Sequence, residues 1–293
     1  MKEKNQVLIN NNHNIVPKRK ISIPINKKIQ EIFEIINRLY LQSLRRPANL
    51  IISMIQPLLW LLLFGALFQN APIYLFEHYN IQYREFLNPG IIIFTGFNSA
   101  INAGLPIIFD REFGFLNRIL ISPISNKNSL IYSSIIHTWL IATIQILIII
   151  LISLYQNGYQ ANINNINILF KLIVNTVIIT NIAIISICNA LILPGHIEFI
   201  AFTTLLINLP TLFASTALAP LSFMPTWLQI ICCINPLTYA IEIIRNQALN
   251  QSSNRIIDIE WLKISSQQGI VILLLFTLIS LITAKKIIKY KYD

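Results

Sequence analysis

LIYSSIIHTWLIATIQILIIILISL, residues 130–154, runs for 25 positions without a charged side chain. A helix rises 1.5 Å per residue, so roughly 20 apolar residues cross the hydrocarbon layer of a bilayer. Outward from this run, comparable stretches lie at 49–68, 87–109, 168–193, 198–223 and 268–284. Six crossings are expected, and an even number places both termini on one side.

The whole chain shares this character. Of 293 residues, 55% are hydrophobic and only 12% charged, with a mean hydropathy of +0.62. A soluble fold needs a polar skin, which this composition cannot supply, so a disordered chain is excluded and an ordinary soluble enzyme is not expected. The formal charge of +10 would suggest nucleic acid in a soluble protein, but here the charges gather at the two ends and in a few gaps, so no nucleic-acid partner is expected. Membrane orientation explains them: 17 of the 22 Lys and Arg fall in residues 1–48, the 110–129 loop and the tail after 284. Both termini are therefore expected on the cytoplasmic side, or the stromal side in a plastid.

Residues 1–26 hold an Asn run and a basic run and are expected to be a disordered tail, with neither a signal-peptide core nor an Arg- and Ser-rich transit peptide. Synthesis in the compartment of use is expected. The abundance of Ile, Asn, Lys, Tyr and Phe is what AT-rich codons produce, as in a plastid or a reduced bacterium. From residue 27 onward, Ile29, Ile32, Phe33, Ile36, Leu39, Tyr40 and Leu44 recur at helical spacing, which predicts an amphipathic helix in the membrane interface, ended by Pro47. Between the fifth and last spans, 223–244 is apolar but interrupted by Pro225 and Pro236, and reads as a re-entrant or interfacial hairpin.

Chemistry of catalysis is missing. No glycine is followed by Lys, so there is no phosphate-binding loop, and no HExxH, GxSxG or paired Cys/His cluster occurs. Cys188, Cys232 and Cys233 form no CxxC pair, and no metal site or catalytic residue is expected. What the spans do carry is uncharged polarity on faces. Thr95, Asn98, Ser99 and Asn102 follow an i, i+3, i+4, i+7 pattern, and Thr204, Asn208, Thr211 and Ser215 repeat it in the fifth span. Such stripes have two uses, lining a substrate path or hydrogen-bonding helix to helix, and the sequence leaves both open.

Two segments carry a family resemblance. FDREFGFLNRILISP, residues 109–123, resembles the cytoplasmic loop after the second span in the ABC type-2 exporter permease family, matching at Arg111, Glu112, Gly114, Leu116, Leu120, Ser122 and Pro123. Asn117 stands where that family usually has Glu. The second, PLSFMPTWLQ at 220–229 continuing through NPLTYA at 235–240 to Arg245, is similar to the family's stretch before the last span. The resemblance covers 27–293 and implies an all-α membrane domain of six spans with an N-terminal interfacial helix, a cytoplasmic coupling helix over 110–123 and a re-entrant hairpin.

The resemblance also implies a division of labour. A separate ATPase subunit would bind ATP and Mg and push on a homodimer of this chain through Arg111, Glu112, Gly114, Leu116, Arg118, Ser122 and Pro123. The permease itself would be no enzyme, and would export an amphipathic, lipid-like or glycan-linked substrate by alternating access. Thr95, Asn98, Asn102, Thr204, Asn208, Thr211 and Ser215 are the candidates for its path. Membrane lipid is the other expected partner, and the composition suits a plastid-encoded member as in red-algal lineages, with a bacterial inner membrane as the alternative location. A membrane assembly or haem-export-like cofactor-delivery protein is the alternative function. A lipid-modifying membrane enzyme is the weakest reading, since no nucleophilic constellation lies near an interface.

Overall fold

The computed structural model describes residues 25–68, 83–115, 128–156, 165–192, 197–248, 255–259 and 262–292. Among these, ten α-helices dominate: α1 (Ile25–Leu44), α2 (Pro47–Leu67), α3 (Tyr83–Ile101), α4 (Leu105–Glu112), α5 (Asn128–Gln156), α6 (Asn165–Ile192), α7 (Ile197–Phe213), α8 (Thr226–Ile234), α9 (Pro236–Ala248) and α10 (Ser266–Tyr292). Pro47 and Pro236 open α2 and α9, where a missing N–H costs nothing. Five stretches are long and apolar enough to cross a membrane, and the pair α8–α9, bent by 88°, makes a sixth if counted as one crossing. The chain is a multi-pass membrane protein.

Helix α3 is the axis of the bundle. Sixteen of its 19 residues are buried, and it packs against α2, α5, α6 and α9. A helix covered all round is what an apolar span becomes when other spans surround it. Its neighbours keep one face out: α2 exposes Ile51, Ile55, Leu59 and Leu63, and α10 exposes Val271, Leu274, Leu278 and Ile282. At Gly90 of α3 the approach is to backbone: a Cβ there would stand 2.5 Å from the Ala217 carbonyl oxygen.

The fold is mostly helical, as expected, and four expectations gain detail. Arg255–Ile259 (β1) and Leu262–Ser265 (β2) add a small antiparallel pair, burying Ile256, Ile257 and Ile264 against α9 and the start of α10. The expected span at 87–109 lies within one candidate crossing, Tyr83–Glu112, whose helix is interrupted at Asn102–Gly104 between α3 and α4, and Ser186 of α6 holds the break. Its hydroxyl donates to the Ile101 carbonyl at 2.6 Å and accepts from the Gly104 N–H at 3.1 Å, so the backbone groups freed by the break are paired. The expected span at 198–223 ends at Phe213, three residues after Pro210, and continues as turns. Of the expected coupling helix over 110–123, residues 116–123 lie outside the described residues; within 110–115, α4 stops at Glu112 and Gly114 takes φ +69°, where a side chain would be strained.

A helix, α1, forms where the interfacial helix is expected, and its apolar stripe is divided. Leu39 is buried and Ile32 and Ile36 half-buried, whereas Ile29, Phe33, Tyr40 and Leu44 remain exposed. The buried side lies along α5, where the Ser133 hydroxyl reaches the Ile32 carbonyl at 3.3 Å.

Candidate functional site

A cavity of about 510 Å³ opens where α1, α2, α3, α4, α5 and α7 converge. A single hydrogen-bonded lattice of neutral side chains builds one wall. The Ser53 hydroxyl donates to Leu50 O at 2.8 Å, so its oxygen accepts from Gln145 Nε2, also at 2.8 Å. Asn98 Nδ2 donates to the Ser53 carbonyl at 3.0 Å, which leaves Asn98 Oδ1 to accept from Asn208 Nδ2 at 3.0 Å. Asn102 Nδ2 returns to the Asn98 carbonyl at 2.9 Å. Four helices, α2, α3, α5 and α7, are thus tied through amides and one hydroxyl. Each amide nitrogen makes one of these bonds, while the acceptors Gln145 Oε1 and Asn208 Oδ1 have no partner among the described residues.

The expected stripes divide between the two uses left open. Asn98, Asn102, Thr204 and Asn208 line the cavity. Thr95, wholly buried, donates to Ile91 O within its own helix at 2.7 Å, Thr211 donates to Ile207 O at 2.8 Å, and Ser215 donates to Leu212 O at 2.6 Å and accepts from the Ala217 N–H. These three do not line it. Ser53, Gln145 and the corner formed by Gln42, Ser43, Arg46 and His137 were not anticipated. His137 joins Ser43 at 3.0 Å between Nε2 and the hydroxyl, tying α5 to α1. Polar residues inside apolar spans, Ser53 with Gln56 on α2 and His137 with Gln145 on α5, were the available signal, since polar groups in spans seldom face lipid.

At the end of α4, residues of the first motif meet α1. Asp110 receives two hydrogen bonds from Arg38, at 3.1 and 2.5 Å, a paired geometry that fixes orientation as well as charge. Arg111 donates to Ala190 O of α6 at 3.0 Å, and the Arg38 guanidinium lies 4.8 Å from the Phe115 ring centre. Gly114 has nothing within 4 Å of where a Cβ would stand, so it borders open space. Leu116, Arg118, Ser122 and Pro123 lie outside the described residues.

The second motif has a structural task. Between α7 and α8 the backbone leaves the helix, and its carbonyls would be unpaired without side-chain donors. Asn235 Nδ2 supplies Thr211 O at 3.0 Å and Ala214 O at 2.7 Å, Gln229 Nε2 supplies Leu221 O and Met224 O, and Tyr83 of α3 donates to Leu218 O at 2.9 Å. Arg245, only 1% exposed, pairs with Glu242 and donates to Thr216 O at 2.8 Å and Phe86 O at 3.2 Å, its guanidinium 3.7 Å from the Phe86 ring centre. The motif's polar residues are carbonyl caps of an irregular segment.

Comparison with known proteins agrees with this arrangement. A model of the "ABC-2 type transporter" family matches residues 30–249, which takes in the cavity and both motifs. The chain is 47% identical over 268 residues to the "Putative transport permease ycf38" of Porphyra purpurea, covering 90% of this chain and 91% of that one. To the protein of the same name in Cyanophora paradoxa it is 44% identical over 270 residues, 89% of this chain and 90% of that one. A more distant likeness, 25% over 186 residues, joins 62% of this chain to 48% of the "Probable multidrug ABC transporter permease YbhR" of Escherichia coli. Bundle, cavity, motifs and relatives converge: the chain belongs to the ABC-2 type transporter family and is a transport permease of it.

Proposed function

We propose that this chain is the membrane subunit of an ATP-driven exporter in a plastid membrane, working as a dimer with separate ATPase subunits and moving an amphipathic, lipid-like or glycan-linked substrate by alternating access. The observation that carries the reading is the cavity where α1, α2, α3, α5 and α7 meet, walled by amides on one side and apolar groups on the other. Its volume falls in the range of small-molecule sites, about 300–1,000 Å³. The lattice crosses four helices through single hydrogen bonds, each worth roughly 0.6 to 2 kcal/mol in a membrane protein, so helices can part there at modest cost.

Energy would enter at the end of α4, with ATP and Mg held by the partner ATPase. Arg111, Glu112 and Gly114 are the described members of the coupling set, and the Arg38–Asp110 bridge would pass a displacement of α4 to α1. Both termini would face the stroma, with α7 and the turns after it making the sixth crossing, α8–α9 forming a re-entrant hairpin from the opposite side, and α1 lying in the stromal interface. Co-expression with candidate plastid ATPases and reconstitution into vesicles tests this. Glu112→Lys is expected to leave the chain in the membrane while abolishing stimulation of the ATPase. Full ATPase stimulation and cargo movement by that variant would move the coupling contact elsewhere.

A further inference from the structure

Charge is distributed around the cavity in a way that specifies its ligand. Arg38, Arg111 and Arg245 each have an oxygen acceptor within the protein. Arg46, which lines the cavity, meets among the described residues only the face of the Phe109 ring, 4.5 Å from its centre. Among the described residues no Asp or Glu lines the cavity, and Arg46 is the one permanent charge there. Ser43 and His137, joined at 3.0 Å, stand in the same corner. Opposite this polar corner the lining becomes apolar and runs outward: Ile52, Leu205 and Leu209 are 65, 58 and 40% exposed and continue into the apolar outer faces of α2 and α7.

We infer that the cavity binds an amphiphile with an anionic headgroup, a phosphate, sulfate or sulfonate ester or acid held by Arg46, its hydrocarbon leaving between α2 and α7. A guanidinium lodged against an aromatic ring keeps its in-plane N–H groups for an oxyanion, which it recognises better than it does a zwitterion's internally balanced charge. An apolar exit lets a chain stay in a hydrocarbon phase while only the headgroup enters the protein, so a cavity of this size suffices. The inference rests on the transport reading for its purpose, but binding itself needs neither ATP nor a partner.

The test is photolabelling of the full chain in phosphatidylcholine vesicles holding a trace of phosphatidylglycerol with a diazirine beside the headgroup. Phosphatidylcholine with the same diazirine is the comparison, and labelled peptides are located by mass spectrometry. Phosphatidylglycerol is expected to label residues 42–53 about tenfold more than phosphatidylcholine does, the weight of one charge-assisted contact. Arg46→Gln is expected to remove that preference, and Arg46→Lys to keep most of it. Arg45→Gln, at an exposed neighbour outside the cavity, is expected to change nothing. Millimolar glycerol 3-phosphate is expected not to compete, because it lacks the tail; displacement by it would assign the site to a free phosphoester and overturn the lipid assignment. Equal labelling by the two lipids, or equal loss in Arg45→Gln and Arg46→Gln, would overturn the site altogether. Export assays run separately with ATPase present: failed export leaves the labelling result standing, and failed labelling leaves export of another cargo open to measurement.

Discussion

Two polar clusters lie inside this apolar bundle, and they are built from different materials. Around Arg245 the groups are charged: one terminal nitrogen meets Glu242, the other meets two backbone carbonyls, and the Phe86 ring covers the guanidinium, with Nε left without a partner among the described residues. Around Ser53 and Asn98 the groups are neutral, and two amide oxygens lack donors beside a cavity. Removing one ion from a buried pair strands the other, whereas breaking an amide contact strands only a dipole. The difference teaches where the fold is fixed and where it can rearrange. Charge ties the irregular segment after α7, and amides tie the cavity wall through links that cost less to break.

Substitutions can break or sharpen that contrast. Arg245→Met should be the most damaging, costing about 3 to 5 kcal/mol because Glu242 is left buried without its partner. Loss of the monodisperse peak in detergent chromatography and of the thermal transition would register it. Adding Glu242→Leu to Arg245→Met should recover part of the loss, and a double variant as unstable as the single one would show that the carbonyl contacts to Phe86 and Thr216 matter more than the ion pair. Gly90→Leu comes next, at about 1 to 3 kcal/mol, since its side chain must push against the Ala217 backbone. Asn98→Leu should cost less in stability, roughly 0.6 to 2 kcal/mol, but change transport or cargo preference, because it severs the link from α3 to both α2 and α7. Thr211→Val should stay within about 0.5 kcal/mol and leave transport unchanged, its hydroxyl being bonded within its own helix. Equal transport defects in the last two would erase the distinction between cavity-facing and self-bonded positions.

How much of this was legible depends on what each feature leaves in the sequence. Apolar runs of 20 or more announce themselves, and the helices starting at Asn128 and Asn165 lie within three residues of where their runs begin. The break between α3 and α4 was hidden because Asn102-Ala103-Gly104 continues an apolar run, and its stabilising hydroxyl, Ser186, sits 82 residues away. The hairpin at 255–265 was missed because two strands of five and four residues carry no usable periodicity. Half of the cavity wall was visible as the Asn98 and Asn208 stripes. Ser53, Gln145 and Arg46 were not, since Ser53 and Gln145 sit inside long apolar runs and Arg46 just before one, and each acquires meaning only from partners on other helices. The stripe pattern also included Thr95 and Ser215, because spacing reports a shared face and not what that face meets.

The break at Asn102–Gly104 has a mechanical consequence. Eight residues of α4 make an arm of about 12 Å, pivoting where Ser186 grips both sides of the gap. Asn102, Leu105, Pro106 and Phe109 on and beside that arm are also cavity wall. With the load applied at Asp110 to Glu112, as the proposed coupling requires, a swing of roughly 10° would carry the arm's far end about 2 Å over that length. The long axis of the bundle could then stay still while the chamber changes shape.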